Sequence, residues 1–185
     1  GDAILGQMME PVIPGRREKA DLPPKTWATV GAKMRPKNVI TSLSLDPAKL
    51  EQHNFNLDKK YRRIANEQVR YKTYMADDAE TLLVAYGTCA RIAQAAIDMA
   101  RERGLRVGLF RPISLWPFPY DALQQTAEES LRVLTVEMSL GQMVEDVRLA
   151  ILGAKPVHFH GRTGGMTPTP REVLDEIERI VEEGI

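Results

Sequence analysis

The chain has few candidates for a nucleophile or a metal ligand. One cysteine and two histidines lie in or beside apolar runs that predict strands. Cys89 follows such a run at the start of a predicted helix, where the helix dipole lowers the pKa of a thiol. No His, Asp or Glu stands next to it as a base, so a small buried side chain is the better interpretation. His158 and His160 alternate on a predicted strand and share one side. Because no acidic or cysteine companion is near them in sequence, packing or hydrogen bonding is favoured over a metal site.

A glutamate and a glycine-rich stretch are the other candidates. Glu137 ends a predicted strand and is either a base, a partner contact or, more commonly, an acceptor for a neighbouring backbone amide. The glycine turn, which we define as Gly161–Gly165, precedes a helix and resembles an anion cradle. Its candidate cofactor-binding residues are Arg162, Gly164 and Gly165. The stretch matches neither GxGxxG nor GxxxxGK[ST], so a plain turn is the favoured alternative.

Four strand–helix units position these residues. Short apolar runs, each bounded by a turn, predict buried strands of a mostly parallel sheet, and helical stripes follow each of them. Thr88 is the predicted cap of the first of these helices, and Thr169, Pro170 and Glu172 form a capping box for the last. The fold class is therefore α/β. The predicted strands are Leu82–Tyr86, Val107–Phe110, Val133–Met138 and Val157–His160, and the predicted sheet core is Leu83, Val84, Leu109, Val136 and Phe159.

The first part of the chain is different. Six prolines between Pro11 and Pro47 interrupt regular structure, although Val39 and Ile40 are compatible with a short strand. Apolar residues then recur at spacings of four and three, which predicts one helix from about Asn56 to Met75. A further helix is predicted around Tyr120–Glu129.

Composition excludes several classes of function. The chain has 185 residues, and its 25 basic side chains balance 25 acidic ones, which argues against a nucleic acid or an anionic membrane as the main partner. No apolar run approaches the ~20 residues of a membrane-spanning helix. The single cysteine makes no internal disulfide and holds no iron–sulfur cluster alone, so a cytoplasmic protein is expected.

A stiff aromatic loop is the predicted contact surface. We call Arg111–Pro119 the proline loop; it contains three prolines as well as Trp116 and Phe118, and it follows the carboxyl end of a strand. Either these aromatics dock a partner or they cover the edge of the sheet, and the two alternatives have equal weight. The interface candidates are Arg111, Trp116, Phe118 and Gln142. No residue is assigned a catalytic or metal-binding role.

Four segments in order resemble the alpha subunit of 2-oxoacid:ferredoxin oxidoreductases. They read LLVAYGTCARIA, GLFRPISLWPFP, VEMSLGQMVEDVRLA and GRTGGMTPTPREV, and the resemblance extends over essentially the whole chain. It is strongest to the branched-chain (2-oxoisovalerate) type and next to the 2-oxoglutarate type. The resemblance implies a three-layer α/β/α domain with a five-stranded, mostly parallel sheet, like the C-terminal domain of transketolase.

The resemblance also implies a domain arrangement. Residues 1–14 would be the tail of a missing thiamine pyrimidine-binding domain, residues 15–55 a proline-rich linker, and residues 56–185 the transketolase-like domain. The family oxidatively decarboxylates a 2-oxo acid to an acyl-CoA with ferredoxin as acceptor. Thiamine diphosphate, Mg²⁺, [4Fe-4S] clusters and CoA would belong to an assembled oligomer with beta, gamma and delta subunits, and this fragment alone would bind none of them. Its role would be assembly and shaping of the cofactor site.

Two other functions remain open from the residues. One is a nucleotide- or CoA-binding α/β domain that uses the glycine turn. The other is an interaction module that has no enzymatic role.

Overall fold

The structure is a computed structural model, and it describes residues 9, 11, 13–15 and 22–184. The described residues divide into two compact units, one before and one after the junction between Lys59 and Lys60. Most of the predicted domain tail at 1–14 lies outside the described residues.

The second unit is built on a five-stranded sheet. Its strands are β1 Tyr71–Tyr74, β2 Thr81–Val84, β3 Val107–Pro112, β4 Arg132–Glu137 and β5 Val157–Gly161. The strand order is β1-β3-β2-β4-β5. Strands β2, β3, β4 and β5 are parallel, and β1 pairs antiparallel with β3 at one edge. The predicted mostly parallel sheet is therefore confirmed.

Helices cover both faces of this sheet and give three layers. The helices are α1 Pro47–Glu67, α2 Gly87–Glu102, α3 Tyr120–Thr126, α4 Met143–Ile151 and α5 Pro170–Glu182. Apolar side chains of α2 and α5 pack on one face, and those of α3 and α4 pack on the other. No helix in the described part of the chain is long and apolar enough to cross a membrane.

The sheet core agrees with the sequence except at its edge. Leu83, Val84, Leu109 and Val136 are buried, as predicted. Phe159 is only half-buried, which corrects its assignment to the core. It lies on β5, an edge strand that has a neighbour on one side only, and such a position leaves part of a side chain open to solvent.

The predicted helix from Asn56 to Met75 is wrong at both ends. Helix α1 begins earlier, at Pro47, and ends at Glu67. The chain then forms β1, whose Tyr71 lies opposite Pro112 of β3. Pairing with β3 supplies backbone hydrogen bonds that a continued helix would have made internally, and the stripe of apolar spacing does not reveal that partner.

Four local predictions have different outcomes. The capping box of α5 is present, with the Thr169 hydroxyl accepting from the Glu172 N–H at 3.1 Å. Thr88 does not cap α2, because the helix begins one residue earlier, at Gly87. Val39 and Ile40 form no strand. Helix α3 ends at Thr126, which is three residues short of the predicted end.

The described residues from 22 to 59 include none that is buried. Several large apolar side chains are exposed there, although water is an unfavourable surrounding for them. A segment that exposes this many large apolar side chains offers surface for contact with another protein. These side chains belong to Trp27, Val30, Met34, Val39, Ile40, Leu43 and Leu45.

Candidate functional site

The candidate residues converge on the carboxyl edge of the parallel sheet. Tyr86 follows β2, Glu137 is the last residue of β4, and the glycine turn begins where β5 ends. Open α/β sheets place ligands and contacts at this edge, because loops from several strands meet there.

Glu137 is fully buried, with 1% of its surface exposed, and its carboxylate is surrounded by donors. The backbone N–H groups of Met143 and Val144 each donate to it at 2.9 Å. The N–H of Gln142 donates at 3.2 Å, and the Ser139 hydroxyl at 3.0 Å. The three N–H groups lie at the start of α4, where a helix leaves its first amides without an internal acceptor. Glu137 therefore caps that helix from the neighbouring strand. The prediction that it holds a loop amide is confirmed.

Tyr86 and Cys89, two further side chains at this edge, are packed rather than reactive. Burial raises the pKa of the Tyr86 hydroxyl, and the nearby Glu137 carboxylate raises it further. Cys89, in the first turn of α2, is buried in the core against that helix and the sheet. The interpretation of Cys89 as a small core residue is therefore the correct one.

The glycine turn does not present a free cation to a ligand. The Arg162 guanidinium binds the Glu172 carboxylate at 2.9 Å. That carboxylate also accepts from the Thr169 N–H at 2.7 Å and belongs to the capping box of α5. Gly164 and Gly165 have positive φ angles of 65° and 85°, which form a tight turn. This geometry favours a structural turn over the predicted alternative of a phosphate cradle.

The two histidines lie on β5 and are half-buried. The Nε2 atoms of His158 and His160 are buried and have no hydrogen-bond partner among the described residues. No group of three or more His, Cys, Asp or Glu side chains in the described part of the chain is placed to hold a metal ion.

The proline loop separates its two aromatic residues. Trp116 is 62% exposed, and its ring meets that of Tyr61 edge-on at 5.7 Å. Phe118 is only 5% exposed and packs in the core between the sheet, α3 and α4. Phe118 therefore covers the sheet, which corrects its prediction as an interface residue. Trp116 presents an open apolar surface of the kind that interfaces use.

The two polar interface candidates lie apart from Trp116 in the chain. Arg111 is a half-buried residue of β3, and it lies opposite Lys72 of the edge strand β1. Gln142 has an exposed side chain, and its backbone N–H belongs to the Glu137 network. The backbone of Gln142 is thus held by Glu137, while its side chain is accessible to a partner.

One polar pair near Trp116 is not predicted by the sequence. The Tyr120 hydroxyl, at the start of α3, donates to the carboxylate of Asp146 in α4. This hydrogen bond and burial raise the pKa of Tyr120 to about 12. The two residues are far apart in the chain, and neither belongs to a motif, so only the packing of α3 against α4 reveals the pair.

Comparison with known proteins identifies the family. A family model described as pyruvate:ferredoxin oxidoreductase core domain II matches residues 79–173. The chain is 44% identical over 179 residues to the ketoisovalerate oxidoreductase subunit VorB of Methanothermobacter thermautotrophicus, which covers 97% of this chain and 51% of that protein. It is 37% identical to the 2-oxoglutarate synthase subunit KorA of Methanothermobacter marburgensis, over 55% of this chain and 27% of that protein.

Two solved structures share the fold. One is a 2-oxoglutarate:ferredoxin oxidoreductase from Magnetococcus marinus, with a TM-score of 0.63 and 17% identity over 74% of this chain and 24% of that one. The other is a split-gene transketolase, with a TM-score of 0.51 and 19% identity over 60% of this chain and 40% of that one. The predicted transketolase-like three-layer architecture is confirmed.

The segment that the family model matches includes strands β2 to β5 and the contact between Glu137 and the start of α4. The chain spans about half the length of the curated relatives that it matches over nearly its full extent. The chain belongs to the family of pyruvate:ferredoxin oxidoreductase core domain II, as part of a 2-oxoacid oxidoreductase subunit.

Proposed function

We propose that this chain is the C-terminal half of the alpha subunit of a 2-oxoacid:ferredoxin oxidoreductase. The complete enzyme would decarboxylate 2-oxoisovalerate oxidatively, transfer the acyl group to CoA, and pass the electrons to ferredoxin; 2-oxoglutarate is the second candidate substrate. The observation that carries this proposal is the 44% identity to a ketoisovalerate oxidoreductase subunit over 97% of the chain. The match to a 2-oxoglutarate synthase subunit extends over 55% only.

Within that enzyme we assign the chain to assembly and to shaping of the cofactor site. Two features support this role: Trp116 stands open at the sheet edge, and the described residues from 22 to 59 expose many apolar side chains. Beta, gamma and delta subunits are the proposed partners, in a cytoplasmic oligomer. Residues 1–14 would be the end of the preceding domain of the subunit. Residues 15–55 would link that domain to core domain II, which residues 56–185 would form.

The described residues do not fit the cofactors of the reaction themselves. An iron–sulfur cluster needs several thiolates, and the chain has one cysteine, which is buried. Oxygen ligands for the magnesium of thiamine diphosphate would come from grouped carboxylates, and the described part of the chain has no suitable group. We therefore propose that other parts of the assembly hold the [4Fe-4S] clusters and the Mg²⁺ of thiamine diphosphate.

The test is reduction of a viologen dye by the complete alpha subunit, purified with its partner subunits, given CoA and a 2-oxo acid. We expect turnover with 2-oxoisovalerate to exceed that with 2-oxoglutarate, and the 185-residue chain alone to show none. Preference for 2-oxoglutarate would shift the substrate assignment. Turnover by the isolated chain would contradict the division of roles, and the absence of turnover in every preparation would favour the interaction module without enzymatic function.

A further inference from the structure

A groove of about 770 Å³ opens beside Trp116 in the second unit. We call it the aromatic groove and define it by Val69, Leu115, Trp116, Tyr120, Asp121 and Asp146. The last three residues of the proline loop, 117–119, also line it. The ring centroids of Phe118 and Tyr120 lie 5.0 Å apart, and both residues line the groove. Its size exceeds that of a single side chain and suits a short segment of polypeptide.

The electrostatics of the aromatic groove are one-sided. Among the described residues that line it, Asp121 and Asp146 are acidic and none is basic. Asn66, in the last turn of α1, also lines it, and the free carbonyls of a helix end carry partial negative charge. Asp146 already accepts from the Tyr120 hydroxyl, whereas Asp121 is an exposed residue in the first turn of α3. The lining therefore favours a cation over an anion.

We propose that the aromatic groove receives an arginine side chain from an extended segment of a partner subunit. The inference rests on the proposed role of the chain in assembly. A guanidinium stacks on aromatic faces and pairs with carboxylates through planar N–H groups, and this groove offers both within one cavity. Apolar neighbours of that arginine would fill the remaining volume against Leu115 and Val69. Interfaces are enriched in Trp, Tyr and Arg for the same reasons.

Fluorescence of Trp116 provides a direct probe. The other tryptophan is removed with Trp27→Phe, and the chain is titrated with the peptide acetyl-Pro-Leu-Arg-Leu-Pro-amide. The control peptide carries citrulline, which has the shape of arginine without its charge. We expect the arginine peptide to bind at least about tenfold more tightly, and added salt to reduce the difference. Asp121→Asn should remove most of the preference, whereas Asp175→Asn, at an exposed acid of α5, should leave it intact.

The outcomes separate this inference from the proposed function. Equal affinity for the two peptides, binding of neither, or an unchanged preference in Asp121→Asn would overturn the arginine site. If Trp116→Ala still weakens capture of partner subunits in those cases, docking through the proline loop stands without an arginine. If the arginine peptide is preferred but Trp116→Ala leaves capture of partner subunits unchanged, the groove binds arginine but does not contribute to assembly. That result would overturn the proposed docking of a partner subunit in the groove.

Discussion

The side chain of Glu137 accepts a hydrogen bond from the backbone N–H of Met143 at 2.9 Å, and so ties the end of β4 to the start of α4. The contact replaces the side-chain cap that α4 lacks at its own N-cap residue, Gln142. A carboxylate is well suited to this position because it accepts hydrogen bonds from several amides at once. Its negative charge is also stabilised by the positive end of the helix dipole.

Loss of this carboxylate should destabilise the second unit. Glu137→Ala leaves buried N–H donors without an acceptor, which should cost about 2–4 kcal/mol of unfolding free energy. Glu137→Gln should cost less, because its amide oxygen still accepts. Urea unfolding followed by circular dichroism measures both values. Glu145→Gln, at an exposed acid in the same helix, is the control. Equal stability of Glu137→Ala and the unchanged chain would show that the network contributes nothing.

The second prediction concerns the sheet. Leu109 is buried in β3 and contacts the core that α2 and α5 cover. Leu109→Ala should cost roughly 2–5 kcal/mol, because both transfer energy and packing are lost. Leu149→Ala, at an exposed position of α4, should change the unfolding free energy little. A loss below ~0.5 kcal/mol in Leu109→Ala would mean that this strand is not central.

The third prediction is a pH dependence at the start of α5. The Thr169 N–H and hydroxyl donate to Glu172 and, with help from Arg162, hold the pKa of that carboxyl below its ordinary value of 4.5. A lowered folded-state pKa means that the stabilisation is complete above the ordinary value and is lost as the pH falls through the lowered one. The stability difference between the chain and Glu172→Gln should therefore be constant at neutral pH and shrink in acid. A difference that grows in acid would contradict this assignment, and Glu102→Gln serves as the control.

The sequence predicts the repeating part of the fold well, because buried parallel strands and capped helices leave strong local patterns. Leu83 and Val84 belong to an unbroken apolar run, and Thr169 with Glu172 forms a motif that specifies its own geometry. The edge strand β1 leaves no such pattern. Its residues, such as Tyr71, continue the helical spacing of α1, and only antiparallel pairing with β3 decides their conformation.

The candidate site was partly predictable for a similar reason. Glu137 stands at a strand end, where carboxyl-edge rules apply, so its role as an amide acceptor was expected. The different fates of Trp116 and Phe118 were not, because two aromatics two residues apart look alike in a loop. Tyr120 and Asp146 meet only when α3 packs against α4. Long-range contacts of this kind have no signature in a single sequence.

The docking role of Trp116 rests on its exposure, which distinguishes it from its neighbour. Trp116→Ala should leave the thermal unfolding midpoint of the chain nearly unchanged, because 62% of the side chain faces solvent. Phe118→Ala should instead lower stability by about 3–5 kcal/mol, as expected for a buried aromatic. The pair thus separates an interface residue from a core residue within one loop.

The most direct test is the capture of partner subunits by the complete alpha subunit that carries Trp116→Ala, measured beside its thermal unfolding. The control is Leu149→Ala, because Leu149 is an apolar residue of α4 that is 59% exposed and lies outside both proposed contact surfaces. We expect Trp116→Ala to unfold at the same temperature and to weaken assembly by about 2 kcal/mol or more, which corresponds to at least about thirtyfold in affinity. Unchanged capture by Trp116→Ala, or a large drop in its melting temperature before any partner is added, would contradict the role of this domain in assembly through the proline loop.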